Sequence, residues 1–274
     1  MIRRVAWLCL AFLAPFAARA QAPLVFATEG AKPPWNSYNA SGALEGFDID
    51  LIEDLCKRMK RACATIIEDW DSLVPALKHG RADAAISGIT ITKRWQARAA
   101  LTRPYALEAY GFAAMRDNPL ANMPGAGMRL DPMSGAGKKE VERITAAIGA
   151  SRVGVVPGSR AAELLKMAFP SLKNIRNYAT PSEHFLDLVA GRVDVTFSPI
   201  ARLMADWRFA DFKDVVKSGP VLMEVSVGPA RVIALKRGNE ALHAEIDAAI
   251  AAAAADGTLK TLSKKWFQLD MTPP

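Results

Sequence analysis

Two segments of the chain have nearly the same sequence and differ at their last residue. Residues 80–88 read GRADAAISG, and residues 191–199 read GRVDVTFSP. In each copy an apolar periodic segment leads to a glycine, which suits the C-terminus of a helix, and an apolar strand follows the aspartate. The repeat predicts two similar α/β units. Because ligands collect at the carboxyl ends of strands in open α/β sheets, we expect the ends of both copies to face a shared cleft.

Strands and helices alternate on both sides of the repeat, which is typical of α/β folds with largely parallel sheets. The alternation is interrupted at residues 117–137, whose Gly, Pro and Met content predicts a surface loop, and two helices end the chain. The expected strands are 24–28, 64–67, 84–89, 153–156, 174–179 and 193–197, and the expected helices are 50–61, 73–79, 138–148, 161–169, 182–190, 239–256 and 258–267.

The first 20 residues have the pattern of a secretory signal peptide. Arg3 and Arg4 precede an apolar run, residues 5–18, and the small residues Ala18 and Ala20 occupy the positions that a signal peptidase reads. The alternative is a membrane anchor, but a bilayer-spanning helix needs about 20 apolar residues, and this run is shorter and contains a proline. We therefore expect cleavage after Ala20 and export to the periplasm.

The net charge is too small to suggest a nucleic-acid partner. The whole chain has 35 Lys and Arg against 28 Asp and Glu, a formal charge of +7, and removal of residues 1–20 takes away three arginines and leaves +4. No block of basic residues alternates with aromatic ones, so the sequence predicts no nucleic-acid binding. The remaining chain is long enough for two modest domains.

The chain after residue 20 contains two cysteines, Cys56 and Cys63. Cys56 lies in a predicted amphipathic helix, and Cys63 opens the next strand. An exported protein favours a structural disulfide between them, and the alternative is half of a metal site. His79, His184 and His243 are isolated in the sequence and are expected on the surface or on a helix face. We therefore predict no metal site and no cofactor.

With these elements placed, the chain resembles a known family, the periplasmic solute-binding proteins of polar amino-acid and opine ABC importers (family 3). The shared segments are specific when taken together, and they cover nearly all of the chain after residue 20. The insertion PGAGMR and the ending WFQLDMTP are most similar to the octopine/nopaline-like branch. The shared segments are TEGAKPPWN, GFDIDLIEDLCKRM, DWDSLVPALKHGRADAAISGITIT, TRPY, VGVVPGS, AGRVDVTF and ADGTLKTLSKKWF.

The resemblance implies a two-lobed periplasmic binding protein fold of type II. Each lobe is then a mostly parallel sheet flanked by helices, and the ligand cleft lies between the lobes. Lobe 1 is expected at residues 21–108 and 228–274, and lobe 2 at residues 109–227. The family also implies a binding protein rather than an enzyme, a monomer that closes on a small molecule and then docks on the membrane permease of an ABC importer.

The sequence departs from the family where the two ends of an amino-acid ligand are held. The family's carboxylate-binding arginine follows a threonine by three residues, and Trp95 occupies that position here. Arg94 lies about 100° away around the helix and is an alternative carboxylate ligand. Pro199, which has neither charge nor N–H, replaces the aspartate that holds the ammonium group in many members. Lys32 and Arg160 replace an aromatic residue and a small hydroxyl residue.

These changes remove the groups that bind a zwitterion and add two cations. We therefore predict a small organic anion as the ligand, with Trp70 and Trp95 against its apolar or aromatic body. The alternative is that Lys32 and Arg160 face solvent, that Trp95 only packs, and that the pocket has lost its function. The remaining expected ligand-binding residues are Glu29, Ser87, Gly88, Thr90 and Ser159.

Two other functions are compatible with the sequence. Some relatives with this fold are periplasmic dehydratases, and Glu29 is the obvious acid for such a reaction, although no nucleophile and base are arranged around it in the sequence. A periplasmic sensor or accessory protein, which presents its closed form to another partner, has the same sequence features as a transport protein. Turnover of a substrate distinguishes the enzyme from both binding proteins.

Overall fold

The computed structural model describes residues 22–206, 212–223 and 230–274. The predicted signal peptide, residues 1–20, lies outside these ranges. Within them, no helix has both the length and the apolar character needed to cross a membrane. The strands form two large sheets and one small sheet.

The elements follow one another in chain order, with two short 3₁₀ turns at Trp70–Ser72 and Pro119–Asn122. The strands are β1 (Leu24–Thr28), β2 (Ala31–Lys32), β3 (Asn36–Tyr38), β4 (Leu44–Glu45), β5 (Cys63–Ile67), β6 (Ala84–Thr90), β7 (Ala100–Leu101), β8 (Ala106–Leu107), β9 (Tyr110–Met115), β10 (Arg129–Leu130), β11 (Val153–Val155), β12 (Ile175–Asn177), β13 (Val195–Pro199), β14 (Val215–Leu222) and β15 (Ala230–Leu235). The helices are α1 (Phe47–Met59), α2 (Leu73–Lys78), α3 (Lys93–Arg98), α4 (Gly135–Ile148), α5 (Arg160–Ala168), α6 (Pro181–Val189), α7 (Ile200–Asp206), α8 (Glu240–Ala255) and α9 (Thr258–Phe267).

The first large sheet has the strand order β5-β1-β6-β15-β7, and β8 also pairs with β15. β1 runs parallel to both β5 and β6, whereas β15 runs antiparallel to β6. The first six of the seven residues of β6 are buried, and every residue of β15 is buried. Continuous burial of this kind is expected where both faces of a sheet are covered.

The second large sheet has the order β10-β14-β9-β13-β11-β12. β11 runs parallel to its neighbours β12 and β13. β9, in contrast, is antiparallel to both β13 and β14. The small third sheet, β2-β3-β4, precedes α1 and lies close to the carboxyl end of β6.

The predicted two-lobed α/β fold class is confirmed, with sheets that are mixed rather than mostly parallel. The antiparallel pairs involve β9 and β15, the strands that follow each passage of the chain from one sheet to the other. The first passage lies between Leu107 and Tyr110, and the return follows Leu222. The exact lobe boundaries at residues 108 and 227 stay predictions.

The repeated segments begin with the same turn, as their sequences predict. Gly80 and Gly191 have φ values of +71° and +67°, in the left-handed region that favours glycine. Each follows a helix closely, because α2 ends at Lys78 and α6 ends at Val189. The strands β6 and β13 come next, and they carry the last residues of each copy to the edge of their own sheet.

Helix α1 begins earlier than the sequence pattern predicts. We expect a helix over residues 50–61, with Asp50 near its start, whereas the helix spans Phe47–Met59. Asp50 does not cap it. Its carboxylate instead accepts hydrogen bonds from Lys265 Nζ at 2.7 Å and Trp266 Nε1 at 2.6 Å. A contact with the distant helix α9 therefore replaces the local cap.

A disulfide joins Cys56 and Cys63, with 6.2 Å between their Cα atoms. Cys56 lies in the last turns of α1, and Cys63 is the first residue of β5. The bond therefore ties the end of the helix to the beginning of the next strand. The predicted disulfide is confirmed, and the half metal site is excluded for this pair.

Candidate functional site

The carboxyl end of β6 is the centre of the candidate site. Gly88 has φ +53°, and a Cβ atom there would lie 3.0 Å from Cγ of Trp35. Its N–H donates to Asp48 Oδ2 at 2.7 Å. Ser87 is fully buried, and its hydroxyl accepts a hydrogen bond from the N–H of Glu29 at 3.1 Å. Glycine is therefore required at the position where the backbone bends towards the cleft.

Lys32 lies beside this bend. Its Nζ donates to the carbonyl oxygen of Gly88 at 3.1 Å and lies 4.7 Å from the centroid of the Trp70 ring. Burial lowers the pKa of Lys32 to about 8, and the positive charge of Arg231 acts in the same direction, whereas Asp48 and Glu29 oppose the shift. The side chain is therefore a cation at neutral pH that loses its proton more readily than an exposed lysine.

Two tryptophans form one wall of a cavity next to Lys32. The rings of Trp70 and Trp95 meet edge to face with 5.7 Å between centroids, and Trp95 is only 7% exposed. Thr92 caps α3 by accepting a hydrogen bond from the N–H of Trp95, so the helix presents this ring to the cavity. The cavity has a volume of about 240 Å³. It is lined by Lys32, Trp70, Asp71, Val74, Thr90, Thr92, Arg94, Trp95 and Arg98.

The alternative carboxylate ligand, Arg94, lies at the rim of this cavity. Its guanidinium contacts the carboxylate of Asp71 at 3.3 Å, and the two side chains are 62% and 84% exposed. An ion pair so exposed to water contributes little to stability. Arg94 is therefore available to solvent as well as to the cavity, whereas Trp95 faces inward.

A second cavity, of about 310 Å³, lies between the two large sheets. Pro199, at the end of β13, lines it together with Lys32, whose Nζ bonds to the carbonyl oxygen of Gly88 at the end of the first repeat. Lys32 lines both cavities and marks their junction. The lining consists of Ala31, Lys32, Pro33, Trp35, Glu108, Pro199, Ala201, Arg202, Ala205 and Arg231.

A buried carboxylate, that of Asp48, holds the backbone at Gly88 in place. Asp48 is fully buried and accepts hydrogen bonds from the Tyr105 hydroxyl at 2.8 Å, from Asn36 Nδ2 at 2.9 Å and from the N–H of Gly88 at 2.7 Å. Burial raises the pKa of Asp48 to about 6, and these hydrogen bonds and the charge of Lys32 limit the rise. Asp48 thus fixes the backbone that carries the site and does not line either cavity.

The side chains of Ser159 and Arg160, in contrast, contact residues of helix α5. Ser159 is the N-cap of α5 and accepts a hydrogen bond from the N–H of Ala162 at 3.2 Å. Arg160, the first residue of α5, contacts Glu163 Oε2 at 2.9 Å. The two cavities described above are lined by other residues. The ligand-binding role of Ser159 and Arg160 stays a prediction.

The histidine expected on a surface or helix face, His184, does lie on a helix, and its face of that helix is buried. His184 lies on α6 and is fully buried, and its Nε2 is 3.3 Å from the hydroxyl of Ser198. Burial lowers the pKa of His184 to about 4, so the ring is neutral at pH 7. Among the described residues, no group of three or more His, Cys, Asp or Glu side chains is placed to hold a metal ion.

Sequence reasoning missed three charged residues in the second cavity, Arg202, Arg231 and Glu108. Arg231 lies on β15, is 6% exposed, and pairs with Glu108, which is also 6% exposed. Burial lowers the pKa of Arg231 to about 10, so it stays protonated. The signal was present in the sequence, because this arginine is the one charged residue in the otherwise apolar strand ARVIAL.

Comparison with known proteins agrees with this architecture. Residues 24–269 match the model of the bacterial extracellular solute-binding proteins, family 3. The chain is 34% identical to the octopine-binding periplasmic protein of Rhizobium meliloti, over 94% of each chain. It is 29% identical to ABC transporter arginine-binding protein 1 of Escherichia coli (strain K12), over 92% of this chain and 93% of that protein.

Solved structures show the same fold. The L-cystine solute receptor of Neisseria gonorrhoeae, in an unliganded open conformation, superposes with a TM-score of 0.70 at 19% identity, over 92% of this chain and 95% of that one. An ancestral arginine-binding protein bound to arginine superposes with a TM-score of 0.55 at 25% identity, over 90% and 99%. The predicted family and its octopine-like branch are thereby confirmed, and the family consists of binding proteins rather than enzymes. The chain belongs to the bacterial extracellular solute-binding proteins of family 3.

Proposed function

We propose that this protein captures a small organic anion in the cleft between its sheets and delivers it to the permease of an ABC importer. The observation that carries the proposal is the position of Lys32. Its ammonium group lies at the junction of the two cavities, bonded to the carbonyl of Gly88 and held over the Trp70 ring. A cation in this place attracts the charged end of an anionic ligand wherever its body lies.

The charge of the cavity walls supports an anionic ligand. Each cavity is lined by three cations and one carboxylate, with Lys32 common to both. In a cleft with low-dielectric walls, an excess of one sign of charge concentrates ligands of the other sign. The lining charges are Lys32, Arg94, Arg98 and Asp71 in the first cavity, and Lys32, Arg202, Arg231 and Glu108 in the second.

The wall that the second sheet contributes to the second cavity also favours an anionic ligand. Pro199 lines the cavity at the position where many family members carry an aspartate. It offers an apolar ring and no carboxylate to an ammonium group. An amine therefore meets the cation Lys32 without the partner that usually compensates it, which selects against amino-acid zwitterions.

The two tryptophans favour a ligand with a flat apolar part. Trp70 and Trp95 expose an edge-to-face pair to a cavity of about 240 Å³, which is large enough for a single ring. Aromatic side chains bind such bodies through apolar burial and ring contacts. Organic acids with an aromatic or compact apolar body fit the combination of Lys32 and these rings.

A cationic amino acid or an opine is the second candidate. The named relatives bind octopine and arginine, and Glu108 gives the second cavity a buried carboxylate that suits a ligand's positive group. This candidate requires Glu108 to leave Arg231 and pair with the ligand. The two candidates thus differ in which member of one ion pair binds the ligand.

Capture itself follows from the two-sheet design. A ligand that contacts both Lys32 and the wall at Pro199 stabilises the arrangement in which the two sheets approach each other, because only that arrangement makes both sets of contacts. Periplasmic location, lobe closure and docking on a permease belong to this proposal. A monomer is sufficient for it.

A thermal-shift screen of the purified protein tests the function. The panel contains dicarboxylates, aromatic acids and sulfonates against arginine, histidine and octopine, at one ionic strength. We expect organic acids to raise the melting temperature, because a ligand that binds the native state stabilises it by mass action. Lys32→Met, which keeps the apolar stem, is expected to lose the shift, and Lys78→Met, at the end of α2, serves as the matched control.

Stabilisation by arginine or octopine, with no response to the acids, would contradict the anion proposal and support the second candidate. A response of wild type and Lys32→Met alike would show that the acid binds outside the junction of the cavities.

A further inference from the structure

An ion pair lies where the chain passes between the two large sheets. Glu108 follows β8 of the first sheet and precedes β9 of the second, and Arg231 is the second residue of β15, after the return passage. Their side chains are only 6% and 8% exposed. The pair therefore joins the first passage, which a rotation of one sheet against the other must bend, to strand β15 of the first sheet.

This ion pair leaves hydrogen-bonding atoms unused. Within the part of the chain that the structure describes, Nε of Arg231 and Oε1 of Glu108 are buried and have no hydrogen-bond partner. A buried polar atom without a partner is unfavourable, and in a native structure it calls for a specific reason. Here both atoms belong to residues that line the second cavity, so a ligand there provides the missing partner when these side chains turn towards it.

Arg231 also belongs to a convergence of positive charge. Its Nη1 donates to the carbonyl oxygen of Gly88 at 2.6 Å, the same oxygen that accepts from Lys32 Nζ at 3.1 Å. The guanidinium contacts the hydroxyl of Thr90 and lies 4.9 Å from the centroid of the Trp35 ring. Two cations that share one acceptor repel each other, and an anion placed between them relieves the repulsion.

We propose that Arg231 binds the anionic group of the ligand by exchanging Glu108 for a ligand carboxylate. The inference rests on the proposed capture of an organic anion and names the residue that selects it. A carboxylate next to Lys32 can accept two parallel hydrogen bonds from the guanidinium, the geometry in which arginine binds carboxylates most strongly. The arginine that the family carries on α3, replaced here by Trp95, is thus supplied by strand β15.

The exchange connects ligand selection with the movement of the sheets. While Glu108 holds Arg231, a buried ion pair joins the first passage to strand β15. A ligand carboxylate that takes over Arg231 releases Glu108, and with it the first passage, from strand β15, so the contact that resists bending is lost at the moment the ligand is bound. A ligand without an anionic group leaves the pair intact. Affinity for anions and closure of the cleft therefore depend on the same arginine.

Acetate is the probe for this exchange, because it is a carboxylate with almost no body. The readout is the Nε–H resonance of Arg231 in ¹⁵N spectra of the purified protein, with chloride at equal ionic strength as the reference. We expect acetate to shift this resonance. Glu108→Gln is expected to bind acetate at least about tenfold more tightly than wild type, since acetate no longer competes with a protein carboxylate for the guanidinium.

Arg231→Gln alone leaves Glu108 buried without a partner and is prone to unfold. The double variant Glu108→Gln/Arg231→Gln removes both charges and keeps both side chains as hydrogen-bonding groups. It is expected to fold and to bind acetate, followed through the backbone resonances of Gly88 and Thr90, at least about 30-fold more weakly than Glu108→Gln. Glu68→Gln, which breaks the ion pair with Arg81 elsewhere in the first lobe, is the control and should leave acetate binding unchanged.

Equal acetate affinity in wild type, Glu108→Gln and the double variant overturns the role of Arg231. If an organic acid still stabilises the wild-type protein in the thermal screen, the proposed function stands and only the role of Arg231 is lost. Acetate binding that depends on Arg231, in a protein that no organic acid of the panel stabilises, gives the opposite result: the anion-binding residue is supported and the proposed ligand class fails.

Discussion

The two repeated segments share one framework and carry different chemistry. In the first, Asp83 accepts a hydrogen bond from the N–H of Val25 at 2.8 Å, and in the second, Asp194 accepts one from the N–H of Arg152 at 2.7 Å. Each aspartate thereby ties the turn to the start of the neighbouring strand. The repeat is therefore a structural device for joining a helix, a turn and two parallel strands.

The difference begins at the last residue of each copy. At Gly88 a main-chain N–H and carbonyl meet Asp48 on one side and two cations, Lys32 and Arg231, on the other. At Pro199 no N–H exists, and the residue offers only its ring to the cavity. A repeated framework can therefore position two strand ends while only one of them holds charged groups.

Substitution of Gly88 should reduce the stability of the protein more than substitution of the turn glycine Gly80. Gly88→Ala is expected to destabilise the protein by about 3 kcal/mol, because it combines a left-handed backbone with a Cβ against the Trp35 ring. Gly80→Ala has the same backbone penalty but meets open space, so about 1 kcal/mol is expected. Urea unfolding measures both. Equal losses would show that the close packing at Gly88 is unimportant.

The second prediction compares two buried titratable groups, His184 of helix α6 and Asp48 of helix α1. His184, with its pKa lowered to about 4, makes the native state lose stability as pH falls from about 6.5 to 4, because the unfolded chain binds the proton more readily. Asp48, with its pKa raised to about 6, has the opposite effect, since its stabilising contribution is complete below about 4 and is lost as pH rises to 6.

The two effects partly cancel between pH 4 and 6 in the wild-type protein. His184→Gln removes the effect of the histidine and leaves that of Asp48. The free energy of unfolding of the variant, measured with urea, should therefore be higher at pH 5 than at pH 7, by up to about 1 kcal/mol per pH unit. Parallel pH profiles of the variant and the wild type would show that His184 does not titrate in this range.

The third prediction compares Asp83 and Asp194, the aspartates at matching positions of the two repeats. Asp194 also accepts side-chain hydrogen bonds from Arg152, at 3.0 Å from Nε and 2.7 Å from Nη2, and these bonds lower the pKa of Asp194. Asp194→Asn is therefore expected to destabilise by about 1 to 2 kcal/mol, and Asp83→Asn by about 1 kcal/mol. Urea unfolding of the two variants gives the comparison, and a larger loss for Asp83→Asn would reverse it.

The affinity for an anion at Lys32, beside Gly88, should depend only weakly on pH. With the pKa of Lys32 at about 8, the cation is mostly present at pH 7 and mostly absent at pH 8.5, so affinity for an organic acid should fall about fourfold over this interval. Of the neighbouring groups, Arg231 with its pKa of about 10 stays protonated and Asp48 with its pKa of about 6 stays ionised over most of this range. Calorimetric titration measures the affinity, and Lys32→Met should abolish its pH dependence.

Much of the fold could be predicted because its signals are local. The repeat, the apolar strands and the helix periods each occupy a few consecutive residues, and the disulfide spans only residues 56–63. The start of α1 was misplaced because Asp50 bonds to α9, which is distant in the sequence. His184 was expected on a surface or helix face because nothing near it in the sequence shows how deeply α6 packs.

The candidate site was predicted in part for the same reason. Lys32, Trp70, Thr90 and Trp95 were expected from the family resemblance and do line one cavity. Arg231 was missed because its contact with Gly88 depends on the pairing of β15 with β6. A charged residue in an apolar strand can face a ligand or a partner side chain, and only the register between strands decides which.

The lowered pKa of Lys32 makes this residue a chemical handle. At pH 7.5 about a quarter of its amine is uncharged, against about one part in a thousand for an ordinary lysine, and the uncharged amine is the form that reacts with acylating reagents. A dye attached under mild conditions would react with this amine, at the junction of both cavities, ahead of lysines of ordinary pKa, and also with the α-amino terminus, whose usual pKa is about 8 as well. Because the reagent and the ligand compete for the same place, protection from labelling would report occupancy of the cleft without any knowledge of the ligand.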